Sequence, residues 1–145
     1  EEQTGGTTSD AMVIVFGAGV GPIKFGMSKE QVIGNFGKPD KIEGGGMGLN
    51  YGASKGVTMA LAPGRGVSAI YCWSGKYRAA SNFEGKTEAG IGMDATLKQI
   101  LAAYGEPDRT TLRGTTTMIL DYVGLRAQFV LRSDQLVNLR LFSPR

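Results

Sequence analysis

One segment of this chain occurs twice. Residues 28–40, SKEQVIGNFGKPD, return as residues 96–108, TLKQILAAYGEPD. Gln31, Gly37, Pro39 and Asp40 keep their identity at Gln99, Gly105, Pro107 and Asp108, always 68 positions on. The positions between them exchange like for like: Ser28 for Thr96, Val32 for Ile100, Phe36 for Tyr104. A repeat of this period constrains architecture before any single residue does, because each unit must bury its apolar face against the other.

Each copy carries its own helix punctuation. Ser28 with Gln31, and Thr96 with Gln99, have the spacing of a capping box. The hydroxyl accepts from the third helical amide while the glutamine reaches back to the cap amide. Val32, Ile33 and Phe36 fall on one face; Ile100, Leu101 and Tyr104 repeat the stripe. Gly37 and Gly105 suit a left-handed stop, and Pro39 and Pro107 forbid continuation. A helix of about eight residues is marginal alone and needs a sheet to lean on.

Strand patterns follow each helix, near 47–52, 56–62 and 67–73 and again near 115–123, 125–132 and 136–142. Leu125, Ala127, Phe129 and Leu131 alternate with Arg126, Gln128, Val130 and Arg132, so the first set is expected inward. Val57, Met59 and Leu61 are read as their counterparts. Inward pairing with Val137, Leu139 and Leu141 requires a three-residue loop, Ser133–Gln135; pairing with Val67, Ala69 and Tyr71 requires another, Pro63–Arg65. Tyr71 and Trp73 share that inward parity. Further strands are expected over 11–16 and, more weakly, 75–83. The expected fold class is α+β: two tandem repeats of a short helix plus an antiparallel three- to four-stranded meander, helices on one face of the sheet. Residues 1–10 read as a flexible tether, 11–74 as the first unit and 75–145 as the second, fused through one core.

Composition excludes more chemistry than it suggests. The chain has no histidine and one cysteine, Cys72, among 145 residues. Imidazole catalysis, cysteine-cluster metal sites and intramolecular disulfides are all excluded. A net charge of +3 does not argue for nucleic acid. No apolar run reaches the roughly 20 residues that span a bilayer. The glycines of residues 17–21 lack the strand–turn–helix setting of a phosphate loop and read as a turn. Asp40 and Asp108 read as turn residues whose side chains bond nearby amides. Cys72 reads as a small packed hydrophobe. No catalytic residue, metal site or cofactor is expected.

The motif G-M-S/T-x-x-x-V-x-x-x-F/Y-G-x-P, met at Gly26-Met27-Ser28 through Pro39 and less fully from Thr96 through Pro107, resembles that of the β-lactamase inhibitor protein and the BamE (SmpA/OmlA) lipoproteins. In the second copy Asp94-Ala95 stands in place of the Gly-Met. The tandem arrangement is similar to the inhibitor, although one cysteine cannot form that protein's disulfides. The resemblance implies a non-enzymatic, extracytoplasmic protein of the periplasm, cell envelope or secreted fraction. It also implies membrane anchoring through a lipidated segment preceding Glu1.

The residues expected to meet a protein partner lie late in the chain. Arg126, Gln128, Arg140 and Phe142 share the outer parity, with Gln128 opposite Arg140 and Arg126 opposite Phe142. Arginine beside aromatic and amide side chains is a composition typical of protein interfaces. The aromatics Tyr51, Tyr71, Trp73, Tyr77 and Phe83 form a second, weaker candidate patch. A different reading is a small-molecule or lipid-binding domain with a cleft between the two units.

Overall fold

A computed structural model describes residues 12–75 and 81–144. The tether over 1–10, Tyr77, Arg145 and most of the expected 75–83 strand lie outside the described residues. Three short strands, β1 (Ile14–Val15), β2 (Gly19–Val20) and β3 (Ile23–Lys24), pair antiparallel in a small sheet. The expected 11–16 strand is thus reduced to two residues. Helix α1 (Lys29–Phe36) follows, then β4 (Lys41–Glu43), β5 (Gly48–Tyr51), β6 (Val57–Ala62) and β7 (Gly66–Trp73). After α2 (Leu97–Tyr104) come β8 (Arg109–Arg113), β9 (Thr117–Tyr122), β10 (Ala127–Arg132) and β11 (Gln135–Phe142).

The order of the large sheet is β4-β5-β6-β7-β11-β10-β9-β8, antiparallel throughout. This overturns the expected α+β fold of two tandem helix-plus-meander repeats. The strands do not close into two meanders. β7 and β11 pair from Ala69–Phe142 to Trp73–Asn138, making one eight-stranded sheet, and two eight-residue helices leave the chain mostly β. Two separate meanders would each expose a long apolar edge; pairing the two longest strands removes both edges.

The repeated punctuation is present as local structure. Both capping boxes are closed: Gln31 N donates to Ser28 Oγ at 3.1 Å and Ser28 N to Gln31 Oε1 at 2.9 Å, with Thr96 and Gln99 doing the same at 3.2 and 2.9 Å. Each helix ends on a glycine of positive φ, Gly37 and Gly105, whose carbonyl accepts from a tyrosine hydroxyl. Tyr51 reaches Gly37 at 2.7 Å, and Tyr122 reaches Gly105 at 2.8 Å. Asp40 accepts from Ser54 N at 2.9 Å and Asp108 from Val123 N at 2.6 Å, clamping each helix exit to a distant hairpin rather than to nearby amides.

Register differs from expectation at two bulges. In the first hairpin the Pro63–Arg65 loop forms, with Ala62 opposite Gly66, but the register shifts between Ala60 and Leu61. Met59 therefore meets Ile70, and Val57 meets Cys72. Ile70 and Cys72 are fully buried, while Tyr71 and Trp73 turn to the outer face. In the second, Arg132 pairs Gln135, so the loop is two residues, Ser133 and Asp134, both with positive φ. That is the turn whose twist matches paired strands. A shift between Val130 and Leu131 absorbs the difference, so Leu131 meets Leu136 rather than Val137. Asp134 Oδ1 then accepts from Leu97 N at 3.0 Å, filling an otherwise open donor of α2.

One core lies beneath the sheet. Val32 and Ile100 from the helices pack with Leu49, Met59, Ile70, Cys72, Leu120, Phe129, Leu139 and Leu141, and Ile14, Val20 and Ile23 of the small sheet join them. Phe16, Tyr104, Tyr122 and Phe129 stack edge-on or tilted at 5.3–6.2 Å between ring centroids.

Glycines 64 and 66 provide a test of this packing. Both have positive φ, yet a Cβ at Gly64 would meet open space, whereas one at Gly66 would lie 2.4 Å from the carbonyl oxygens of Gly26 and Met27. Gly64→Ala is expected to cost about 1–2 kcal/mol, the price of a left-handed residue. Gly66→Ala is expected to cost about 2–5 kcal/mol, because a backbone clash adds to that strain. Urea denaturation measures both, and equal losses would show that the approach of residues 26–27 to β7 is not tight.

Candidate functional site

The two faces of the large sheet differ in chemistry. The inner face is the core just described. On the outer face, strand pairing sets one unbroken row across all eight strands: Lys41, Asn50, Thr58, Tyr71, Arg140, Gln128, Asp121 and Arg109. Successive residues point to opposite faces, so a polar row here is compatible with an apolar row one residue away.

Hydrogen bonds tie the centre of this row together. Gln128 Nε2 donates to Asp121 Oδ1 at 2.6 Å, and Arg140 Nη1 donates to Gln128 Oε1 at 3.3 Å. Arg140 Nε donates to Asn138 Oδ1 at 2.7 Å, while Asn138 Nδ2 donates to the Cys72 carbonyl at 2.9 Å. Asn138 is fully buried. The chain of bonds runs from a carboxylate on β9 to the backbone of β7 and holds the guanidinium in a fixed orientation.

Aromatic rings flank it. Tyr71 and Phe142 meet edge to face, 6.4 Å between centroids at 79°. Trp73 lies on the same face and donates Nε1 to Thr58 Oγ1 at 3.0 Å. Tyr71, Trp73, Gln128, Arg140 and Phe142 are all half-buried. Beside them Ile119, Val130 and Val137 form a small buried cluster separate from the main core.

Gln128, Arg140 and Phe142 are thus neighbours, with Gln128 directly opposite Arg140. Arg126 adjoins that group through the backbone of Phe142, with its side chain turned to Ser143. It has φ 54°, precedes β10, and engages the chain end: its carbonyl accepts from Phe142 N at 3.0 Å, and its Nε donates to the Ser143 carbonyl at 2.7 Å. Ser28, Gln31, Gly37, Thr96, Gln99 and Gly105 serve the helix ends; Pro39 and Pro107 follow them. Sequence reasoning set Tyr71 and Trp73 at inward positions and in a second, weaker patch rather than beside Arg140, and it missed Asn138. The bulge at Ala60–Leu61 hid the first two by inverting their parity. Asn138 was visible as the amide set between the aliphatic residues Val137 and Leu139 of β11.

Among the described residues no three metal-ligating side chains gather. Burial raises the pKa of the Cys72 thiol, which disfavours its nucleophilic form. Burial also raises the pKa of Tyr51, Tyr104 and Tyr122. Asp40 adds to the shift at Tyr51, Glu88 adds at Tyr104 against an opposing hydrogen bond with Thr87, and Glu106 and Tyr104 add at Tyr122. These phenols hold helix ends and core. The surface grooves are open: one of about 550 Å³ runs beside α2, and another of about 580 Å³ lies between Ala18, Phe25, Arg65 and Ser143.

Taken together, fold and face define a mostly-β protein with one polar–aromatic sheet face. No family model matches the chain, and no curated protein matches it. Among solved structures it is similar to a DUF4309 family protein, YjgB from Bacillus subtilis subsp. subtilis str. 168, at 18% identity and a TM-score of 0.54, over 80% of this chain and 78% of that one. This likeness shows a shared fold alone. An extracellular protein containing a SCP domain, from Bacillus anthracis str. Ames, gives a TM-score of 0.45 at 12% identity, over 82% of this chain and 44% of that one.

The phenols set an alkaline limit on stability. A folded-state pKa raised above the unfolded value means that the folded chain keeps its proton while the unfolded chain releases one. Stability is complete below about pH 10 and falls as pH rises beyond it. The fall is expected to be shallower in a Tyr51→Phe/Tyr122→Phe variant, measured by urea denaturation between pH 8 and pH 11. An unchanged slope would remove these tyrosines as its cause.

Proposed function

We propose that this protein is a non-catalytic interaction module that binds a protein partner through the outer face of its large sheet. The observation that carries this reading is the Asp121–Gln128–Arg140–Asn138 chain beside the Tyr71–Phe142 pair. An arginine whose orientation is already fixed loses little freedom when it binds, and half-buried aromatics supply contact area at low entropic cost. Arginine, tyrosine and tryptophan are the residue types that dominate binding energy at protein interfaces.

Extracytoplasmic residence and anchoring through a lipidated segment belong to the same proposal. They follow the resemblance of the capped-helix motif to the β-lactamase inhibitor protein and BamE (SmpA/OmlA) lipoproteins. Among the described residues no helix is long and apolar enough to cross a membrane. A small-molecule or lipid ligand is the weaker reading, because the grooves described above open to solvent rather than enclose a ligand.

A photo-crosslinking residue at Phe142, introduced in cells that express the protein, tests the face directly. It is expected to capture a discrete partner, and an Arg126→Glu/Arg140→Glu variant is expected to lose at least about ten-fold of that capture, equivalent to 1.4 kcal/mol of binding. Undiminished capture by the variant would exclude the arginines from contact. Fractionation of the same cells with external protease tests the compartment; a protease-resistant pool released only on lysis of the cytoplasm would overturn that part.

A further inference from the structure

The two edges of the large sheet are built differently. At one end β4 is three residues long, its Lys41 and Glu43 side chains pair at 3.7 Å, and a tight turn at Gly44–Gly46 ends it. A short, self-neutralised edge is a common protection against further strand pairing. At the other end β8 runs five residues, Arg109–Arg113, with no proline and a regular register against β9. Eleven positions separate Asp40 from Tyr51, and fourteen separate Asp108 from Tyr122. The three extra residues lie in the β8–β9 hairpin, where they lengthen this edge.

The side chains of β8 divide by face. Arg109, Thr111 and Arg113 point one way, Thr110 and Leu112 the other. Both arginines are exposed, and neither has an ion-pair partner among the described residues. Leu112 is 67% exposed, unusual for a leucine in a strand, and borders an apolar groove of about 670 Å³ shared with Leu97, Met118 and Leu131. A regular backbone edge, two unpaired cations four residues apart and an apolar groove therefore coincide at one place.

We propose that β8 is a docking edge for an extended acidic segment of another protein, which pairs antiparallel with Arg109–Arg113 as a ninth strand. Carboxylates opposite Arg109 and Arg113 neutralise both cations, and an aliphatic side chain opposite Leu112 enters the groove. Main-chain bonds give such strand addition its affinity, and alternate side chains give it selectivity. Charge argues against a second copy as the occupant. A two-fold pairing centred on Thr111 would set Arg109 against Arg113 twice, and like charges directly opposite are destabilising. This inference goes beyond the face reading, since it concerns the backbone edge and leaves Arg140 and Phe142 untouched.

The test uses a short fluorescein-labelled peptide with the core EVTTE and its counterpart KVTTK, measured by anisotropy at low salt, with hydrogen exchange of the β8 amides followed by NMR. Wild-type protein is expected to bind EVTTE at least about ten-fold more tightly than KVTTK, and Arg109→Glu/Arg113→Glu is expected to reverse that preference. Slowed exchange is expected at β8. N-methylation at the second or the third core residue is expected to abolish binding in one case and spare it in the other, because strand pairing uses alternate amides. If the reversal variant is unfolded by circular dichroism, Arg109→Gln/Arg113→Gln replaces it, with graded loss of EVTTE expected. Equal affinity for both peptides, indifference to N-methylation, or slowed exchange confined to other strands would overturn the proposal. A dimer abolished by the arginine substitutions would also overturn it, by assigning the edge to a second copy.

Discussion

The pairing of β7 with β11 is the contact on which the rest of this molecule depends. Each is an eight-residue strand, the longest of its half of the chain. Their inner side chains, Ile70 and Cys72 against Leu141 and Leu139, are fully or almost fully buried at the centre of the core. Their outer side chains bring Tyr71 next to Arg140 and Phe142. Without this seam each strand would be a long apolar edge, and the polar–aromatic face would be split in two. Stability and the candidate binding face therefore have the same origin.

The face illustrates how a polar group is tolerated in a hydrophobic strand. Asn138 lies in an aliphatic neighbourhood where an unsatisfied amide costs about 1–3 kcal/mol. It avoids that cost by bonding both ways, to the Cys72 carbonyl and from Arg140. The first bond ties β11 to β7 through a side chain as well as backbone, and the second, within β11, aims the arginine. Packing specificity and a fixed surface cation are one solution here, and a substitution that loosened the seam would also loosen the face.

What was legible in the sequence was whatever is decided locally. Helix ends depend on four or five consecutive residues, so Ser28–Gln31, Thr96–Gln99, Gly37 and Gly105 were readable from spacing. The Pro63–Arg65 loop and the Gln128–Arg140 pair were readable from alternation. The arrangement of strands was not, because the 68-residue period marks the helix motif while the sheet is organised by which strands meet at its centre. Alternation also fails across a bulge: an extra residue reverses every later side chain, which is why Tyr71 and Trp73 appear on the face opposite to the one their spacing implies. The two-residue turn at Ser133–Asp134 was hidden because neither residue is a glycine; its compensating bond, Asp134 to Leu97, joins residues 37 positions apart.

The single sulfhydryl occupies the seam itself. Cys72 is fully buried between β6 and β11, and its own carbonyl is held by Asn138. Reagents reach such a group only in molecules whose central strands have parted, an event that for core strands approaches complete unfolding. The rate at which this thiol is alkylated therefore acts as a clock for the rarest opening of the protein, and it needs no engineered label.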